Sequence, residues 1–258
     1  MLAYTDNGHQ NKTTIVLLHG FCESKEIWGR LPIQLAEIYR VICIDLPGFG
    51  ESTEAELVPD ISDFADKVHL TLLEIGVKNV IMIGHSLGGY VTLAYAEKYR
   101  LNLSGIGLFH STSAADNEEK KENRQKVAQF VLENGSEKFI PQLFAGLFSD
   151  KNKEKLALQI QLITDQYKYL TLPASIANAS LAMRNRPDRS EILQKSGLPT
   201  LFIIGEDDKV IPLEVGIAQS KLAPNATVHI LKETAHMGMI EAPEESLSII
   251  KNFAKICV

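Results

Sequence analysis

The sequence has few of the features that mark specialised protein classes. It carries only 3 cysteines and 1 tryptophan in 258 residues. Cys22, Cys43 and Cys257 show no CxxC spacing, and an odd count leaves no complete disulfide framework. Neither a stapled scaffold nor a zinc site is expected, the thiols read as reduced and buried, and no residue pattern asks for a metal or a cofactor. No apolar run approaches the roughly 18 residues a membrane helix needs. Met1 to Gly8 lacks the positive n-region and apolar h-region of a signal peptide, so a cytoplasmic protein with no membrane partner is expected. Basic clusters are missing as well. Lys+Arg 26 against Asp+Glu 32 leaves a net charge of −6, which argues against nucleic acid as the main partner. With 45 % hydrophobic and 22 % charged residues, the chain has an ordinary globular composition. Its length suits one large domain, or a core with a modest insertion, and its expected ligand is a small molecule.

Short β-branched apolar runs bounded by Gly, Pro, Asn or Asp recur at Thr14 to Leu18, Val41 to Ile44, Val80 to Ile83, Gly105 to Phe109 and Thr200 to Ile204. Unbroken apolarity, rather than alternation, marks strands buried on both faces. Helical patterns lie between them, at 62–75 with Phe64, Val68, Leu72 and Ile75 on one face, and at 87–99. Alternating strand and helix predicts an α/β fold with a mostly parallel sheet flanked by helices. Over 111–197 charged helical stretches replace apolar strands, which predicts an inserted helical cap. The core would then comprise 1–110 and 198–258. It closes with a helix at 213–222, a strand at Ala226 to Leu231 and an amphipathic helix at 243–255. The charge run at 116–126 reads as a solvated helix face.

Gly84-His85-Ser86-Leu87-Gly88 matches G-x-S-x-G and sits where that motif has meaning, after an apolar strand and at the start of a helix. A sharp turn there exposes the Ser86 hydroxyl at the carboxyl edge of a parallel sheet. It also sets the Leu87 amide at a helix N-terminus, where it can meet developing negative charge. His19-Gly20-Phe21, after the first apolar run, offers the Phe21 amide as a second donor. Rival glycine motifs fail: Tyr90 stands where a P-loop needs Lys, and Gly48-Phe49-Gly50 continues to Thr53 rather than to the last small residue of a dinucleotide fingerprint.

A serine needs a general base, and histidine is the usual one. Of 7 histidines, His236 stands out because it follows the final strand in a loop at the same sheet edge as Ser86. His19 and His85 belong to the loop and the motif beside the donors, His69 to a helix, His229 to a strand and His110 to a strand end. An acid must orient the imidazole. Glu206, Asp207 and Asp208 follow the strand ending at Ile204 and offer three carboxylates in a row, which pattern alone does not separate.

These pieces together resemble the α/β-hydrolase superfamily along essentially the whole chain. They are His19-Gly20-Phe21 with Trp28, Asp45-Leu46-Pro47-Gly48-Phe49-Gly50-Glu51-Ser52, Gly84 to Gly89, Gly205-Glu206-Asp207-Asp208 with Pro212, and Ala235-His236 followed by Glu241-Ala242-Pro243-Glu244. In the family element G-x-x-D-x-x-x-P the aspartate is the triad acid, which places that role on Asp208. The chain order Ser86, Asp208, His236 is the family's order. The resemblance also implies that 111–197 is the lid. A serine nucleophile, in place of aspartate, disfavours the dehalogenase and epoxide hydrolase branches. The short segment before Thr13 leaves open how many of the family's first strands are present.

The reaction expected from the resemblance is cleavage of a small carboxylic ester or lactone through an acyl-serine. Alternatives are a C–C bond hydrolase or a pyruvate-eliminating synthase of the same fold, and, from another class, a ligand receptor without turnover. Tyr90, Phe144 and Met237 are candidate substrate-pocket residues. The remaining lid residues Phe130, Val131, Phe139, Ile140, Leu143, Leu147 and Phe148, with Met239, divide between pocket and packing. Arg124, Arg184, Arg186 and Arg189 read as solvated surface that an acidic substrate could recruit.

Overall fold

The β-branched apolar runs become the inner strands of a seven-stranded sheet in the computed structural model, which describes residues 1–53 and 60–257. The strands are β1 (Tyr4–Asn7), β2 (Thr14–Leu18), β3 (Arg40–Ile44), β4 (Val80–His85), β5 (Leu103–Phe109), β6 (Thr200–Gly205) and β7 (Ala226–Leu231). They lie in the order β1-β3-β2-β4-β5-β6-β7, all parallel except β1, which pairs antiparallel with β3 in the register Tyr4↔Ile44. Residues 54–59 and Val258, inside the two segments assigned to the core, lie outside the described residues.

The helices are α1 (Leu31–Leu35), α2 (Ile61–Glu74), α3 (Leu87–Tyr99), α4 (Glu118–Asn134), α5 (Ser136–Ala145), α6 (Ala157–Leu170), α7 (Pro173–Asn185), α8 (Ser190–Lys195), α9 (Leu213–Ser220), α10 (Gly238–Glu241) and α11 (Pro243–Ile256). Local chemistry sets several of their ends. The Asp60 carboxylate accepts the Ser62 amide at 2.8 Å to start α2, Asn117 accepts the Lys120 amide at 2.9 Å to start α4, and Pro243 occupies the first turn of α11, all positions where an unpaired helix amide is met or removed.

Alternation along each strand splits the core into two layers. Val16, Leu18, Ile42, Ile44, Met82, Ile106, Leu108, Phe202 and Ile204 face one side, with Phe64 and Val68 of α2 and Val91 and Tyr95 of α3. Ile15, Leu17, Val41, Cys43, Ile81, Ile83, Leu201 and Ile203 face the other, with Leu35 of α1 and Ile250 and Phe253 of α11. Helices α4 to α8 enter the chain between β5 and β6; Val131, Ile140, Phe144, Tyr167 and Ile176 bring α4 to α7 onto the second layer, while Leu193 of α8, with Ala179, Ala182 and Met183 of α7, joins the first. No described helix is long and apolar enough to cross a membrane. Cys22 and Cys43 are buried and Cys257 half-buried, all three free, and burial pushes the Cys43 and Cys257 thiols up to about 12.

Candidate active site

Strands β2 and β4 are neighbours although β3, between them in sequence, lies on the far side of β2. The chain leaving β2 and the chain leaving β4 therefore depart to opposite sides, and such a switch point opens a crevice at the carboxyl ends of the strands. His19-Gly20-Phe21 follows β2 there, and Ser86 follows β4.

Ser86 takes φ 47° and ψ −111°, a left-handed backbone that a residue with a Cβ holds only under strain. It is half-buried between fully buried neighbours, and its hydroxyl makes no hydrogen bond among the described residues. The glycines of the motif are steric necessities. A Cβ on Gly84 would stand 2.1 Å from the Gly88 carbonyl, and one on Gly88 would stand 2.4 Å from the Leu18 oxygen. The amides of Phe21 and Leu87 find no acceptor among the described residues. Leu87 opens α3, whose dipole adds to its pull on an anion.

His236 and Asp208 arrive from the ends of β7 and β6. His236 Nδ1 donates to Asp208 Oδ2 at 2.8 Å, while Asp208 Oδ1 accepts the amides of Val210 at 2.8 Å and Ile211 at 3.0 Å. Burial works to raise the Asp208 pKa, but His236 beside it, with His110 and the Ile211 amide, overrides this and holds it at about 2. An ionised Asp208 fixes the proton on Nδ1 and leaves Nε2 as a lone pair, the tautomer a base requires. No hydrogen bond joins Ser86 to His236 among the described residues. The two are related through His85, which adjoins Ser86 and whose ring centroid is 5.0 Å from that of His236, and catalytic hydrogen bonds of this kind commonly close only around substrate.

The two neighbouring carboxylates serve the loop instead. Asp207 accepts from Ser149 Oγ at 2.7 Å and Glu206 from the Glu233 amide at 3.0 Å. His19 donates from Nδ1 to the Gly20 carbonyl and accepts the Leu46 amide on Nε2, and its burial lowers its pKa. Tyr90, Phe144 and Met237 are all buried. The Arg186 guanidinium lies 4.0 Å over the Tyr90 ring, and Phe144 stacks on Tyr167 at 5.5 Å.

Two of the four arginines depart from the surface reading. Arg186 is 5 % and Arg189 4 % exposed. Arg186 Nη2 reaches Asp116 Oδ1 at 2.9 Å, and Arg189 reaches Glu97 at 2.9 Å and Ser62 at 2.8 Å. Asp116, at the start of the charge run, is buried between Arg186 and Arg124, and those two cations outweigh its burial and lower its pKa. Partners so distant along the chain leave no local trace in sequence.

Three further residues hold the site in ways that sequence reasoning did not assign. His110, at the end of β5 with φ 48°, accepts the Gly238 amide on Nε2 at 3.2 Å and turns Nδ1 toward Asp208 Oδ2 at 3.7 Å. Glu241 accepts the Ala235 amide at 3.0 Å on one oxygen, and the Ser149 amide at 2.9 Å and Asn152 at 3.0 Å on the other. It thereby ties the His236 loop to the helical insertion, as does the His236 amide bonded to the Leu147 carbonyl at 2.9 Å. Glu23 accepts the Gly20 amide at 2.7 Å and His85 Nδ1 at 3.0 Å. Only Glu241 left a signal, standing five residues past His236 and just before the Pro243 that starts α11.

Comparison with known proteins gives the same reading of the fold. The chain is 26 % identical to Lipase 1 of Psychrobacter immobilis, over 99 % of this chain and 81 % of the lipase. It is 26 % identical to a putative 2-succinyl-6-hydroxy-2,4-cyclohexadiene-1-carboxylate synthase of Bacillus subtilis, over 97 % of this chain and 93 % of that protein. A thermophilic esterase of Thermogutta terrifontis superposes with a TM-score of 0.93 at 28 % identity, covering 99 % of this chain and 93 % of the esterase. The family model for the alpha/beta hydrolase fold matches residues 13–243, a span running from the first parallel strand to beyond His236, and to that family the chain belongs.

Proposed function

We propose that this chain is a serine hydrolase that cleaves small carboxylic esters or lactones through an acyl-serine intermediate. One observation carries the reading: the 2.8 Å bond from His236 to an ionised, buried Asp208, at the sheet edge where the strained Ser86 presents a free hydroxyl. Ser86 Oγ attacks the ester carbonyl as His236 Nε2 takes its proton. The carbonyl oxygen, now an anion, is held by the Phe21 and Leu87 amides. Collapse expels the alcohol, which takes its proton from His236, and leaves the acyl group on Ser86. Water then attacks the acyl carbon as His236 takes a proton from it, and collapse releases the acid while His236 returns that proton to Ser86 Oγ. Asp208 holds the imidazole and balances its charge at both stages. Helices α4 to α8 serve as the cap over this crevice. The lipase and esterase among the relatives support the ester reading.

The test is steady-state hydrolysis of p-nitrophenyl esters from acetyl to long acyl chains, with Ser86→Ala as control. Activity that peaks at short chains and vanishes in Ser86→Ala is expected, and ester turnover that survives in Ser86→Ala contradicts the proposal.

A second reading, C–C bond cleavage or pyruvate elimination, needs cations for a dicarboxylate substrate. Arg186 and Arg189 are committed to Asp116 and Glu97, and Arg184 to Gln125 and Asn185. Arg124 favours it, because it meets Asp116 through Nε at 3.2 Å and shows no hydrogen bond from Nη1 or Nη2 among the described residues. Saturable inhibition by small dicarboxylates, abolished in Arg124→Ala, would shift weight to this reading.

A further inference from the structure

Glu23 and His85 are buried, titratable and unused by the acyl-transfer steps. Their side chains are 1 % and 0 % exposed. Trp28 and Phe109 stand at steep angles to the His85 ring, with centroids 6.5 and 6.1 Å away. The hydrogen bonds constrain where the protons sit. His85 Nε2 lies 2.8 Å from the His236 carbonyl oxygen, which can only accept, so Nε2 carries a hydrogen. His85 Nδ1 lies 3.0 Å from Glu23 Oε2, which already accepts the Gly20 amide at 2.7 Å. As a carboxylate, Glu23 Oε2 accepts both the Gly20 amide and the His85 Nδ1 hydrogen, so that both ring nitrogens donate. Burial disfavours each charge, yet each partner overrides it for the other, raising the His85 pKa and lowering that of Glu23.

Those three bonds join the three fragments of the site. Glu23 holds the Gly20 amide, next to the Phe21 amide that serves as oxyanion donor. His85 holds the carbonyl of His236, whose side chain is the base, and is itself bonded to Ser86. The fit is close: a Cβ on Gly20 would stand 2.7 Å from His85 Nδ1 and 2.8 Å from Glu23 Oε2.

We infer that Glu23 and His85 form a buried carboxylate–imidazolium pair that positions the oxyanion loop and the His236 loop against the Ser86 elbow. Both are positioning residues, and the inference rests on the serine-hydrolase reading above.

Two measurements test it. Ring-nitrogen NMR of histidine-labelled wild-type protein reads the charge without reference to activity. The charged or titratable groups facing His85 are Glu23, His19, His110, Asp208 and His236. His85 is expected to show two ring N–H groups throughout pH 6 to 9, and Glu23→Gln is expected to remove one. A single ring N–H on wild-type His85 overturns the ion pair.

The second measurement is kinetic, with rates expressed per site labelled by a phosphonate titrant so that misfolded protein is not counted. Glu23→Gln and His85→Gln should each lower kcat about 10- to 100-fold, the scale on which displaced catalytic groups lose rate. KM should move by less than about threefold, and the double variant should cost less than the product of the singles. Single variants whose kcat stays within about twofold of wild type overturn the positioning role, even if they melt earlier. If wild type hydrolyses no ester while His85 is doubly protonated, the serine-hydrolase reading fails and takes the positioning role with it, leaving the ion pair alone.

Discussion

Replacing Asp208 by asparagine changes the chemistry of the site while keeping its shape. The oxygen of the introduced amide can still accept the Val210 and Ile211 amides that Asp208 Oδ1 holds at 2.8 and 3.0 Å. Its NH2 then faces His236 Nδ1, which must become the acceptor, so the proton moves to Nε2. An imidazole with Nε2–H cannot take the Ser86 proton. In the chymotrypsin-type triad the same exchange costs about 10⁴-fold in kcat, and a loss of that order is expected in kcat for a short p-nitrophenyl ester. A second signature follows from linkage. The Asp208 carboxyl is depressed from 3.8 to about 2 by folding. A depressed carboxyl contributes stability that is complete above its unfolded value and lost as pH falls through the folded one. The shift corresponds to about 2 kcal/mol, so urea unfolding of wild type and Asp208→Asn should differ by about that much more at pH 6 than at pH 2. A folded Asp208→Asn that keeps its kcat within about tenfold of wild type would refute the tautomer argument.

Other consequences of the geometry can be checked in parallel. Gly84→Ala drives a methyl to 2.1 Å from the Gly88 backbone, and should cost about 3 kcal/mol or more in denaturant unfolding because backbone cannot yield cheaply; a neutral result would contradict the elbow geometry. Asp116→Ala leaves Arg186 buried without its carboxylate, and a loss of about 3–5 kcal/mol is expected by the same assay. Glu241→Ala should speed hydrogen exchange at the Ala235 and Ser149 amides that Glu241 now holds, while the amides of β4 keep their protection; unchanged exchange at both sites would show that Glu241 is not the tie. His110→Asn is expected to change the pH dependence of kcat, because His110 Nδ1 lies only 3.7 Å from Asp208 Oδ2; an unaltered profile would remove His110 from the electrostatics of the acid.

The central strands, α2 and the terminal helix were legible because buried parallel strands and amphipathic helices write their burial into local residue order. Strand β1 was not. Tyr4-Thr5-Asp6-Asn7 is polar and half-buried, and it is a strand because β3 supplies a partner about forty residues away. The Ser86 elbow was readable since its serine and glycines fall in one short window after an apolar strand, although the contact that demands Gly88 comes from Leu18 of β2. Asp208 could be separated from Glu206 and Asp207 only by family resemblance, for what distinguishes it is that His236, 28 residues on, lies against it. The Glu23–His85 pair and the burial of Arg186 and Arg189 depend on contacts 62 to 127 residues apart, and no window on the sequence contains them.

Acyl transfer at this site requires Ser86 as a nucleophile activated by His236. The direct measurement is mass spectrometry of the intact protein and its peptides after reaction with a p-nitrophenyl phosphonate. One phosphonyl group per chain, located on Ser86, absent from Ser86→Ala and formed far more slowly in His236→Ala, is the predicted result. A folded protein that acquires no adduct, or acquires it elsewhere while ester turnover is lost, would contradict the assignment.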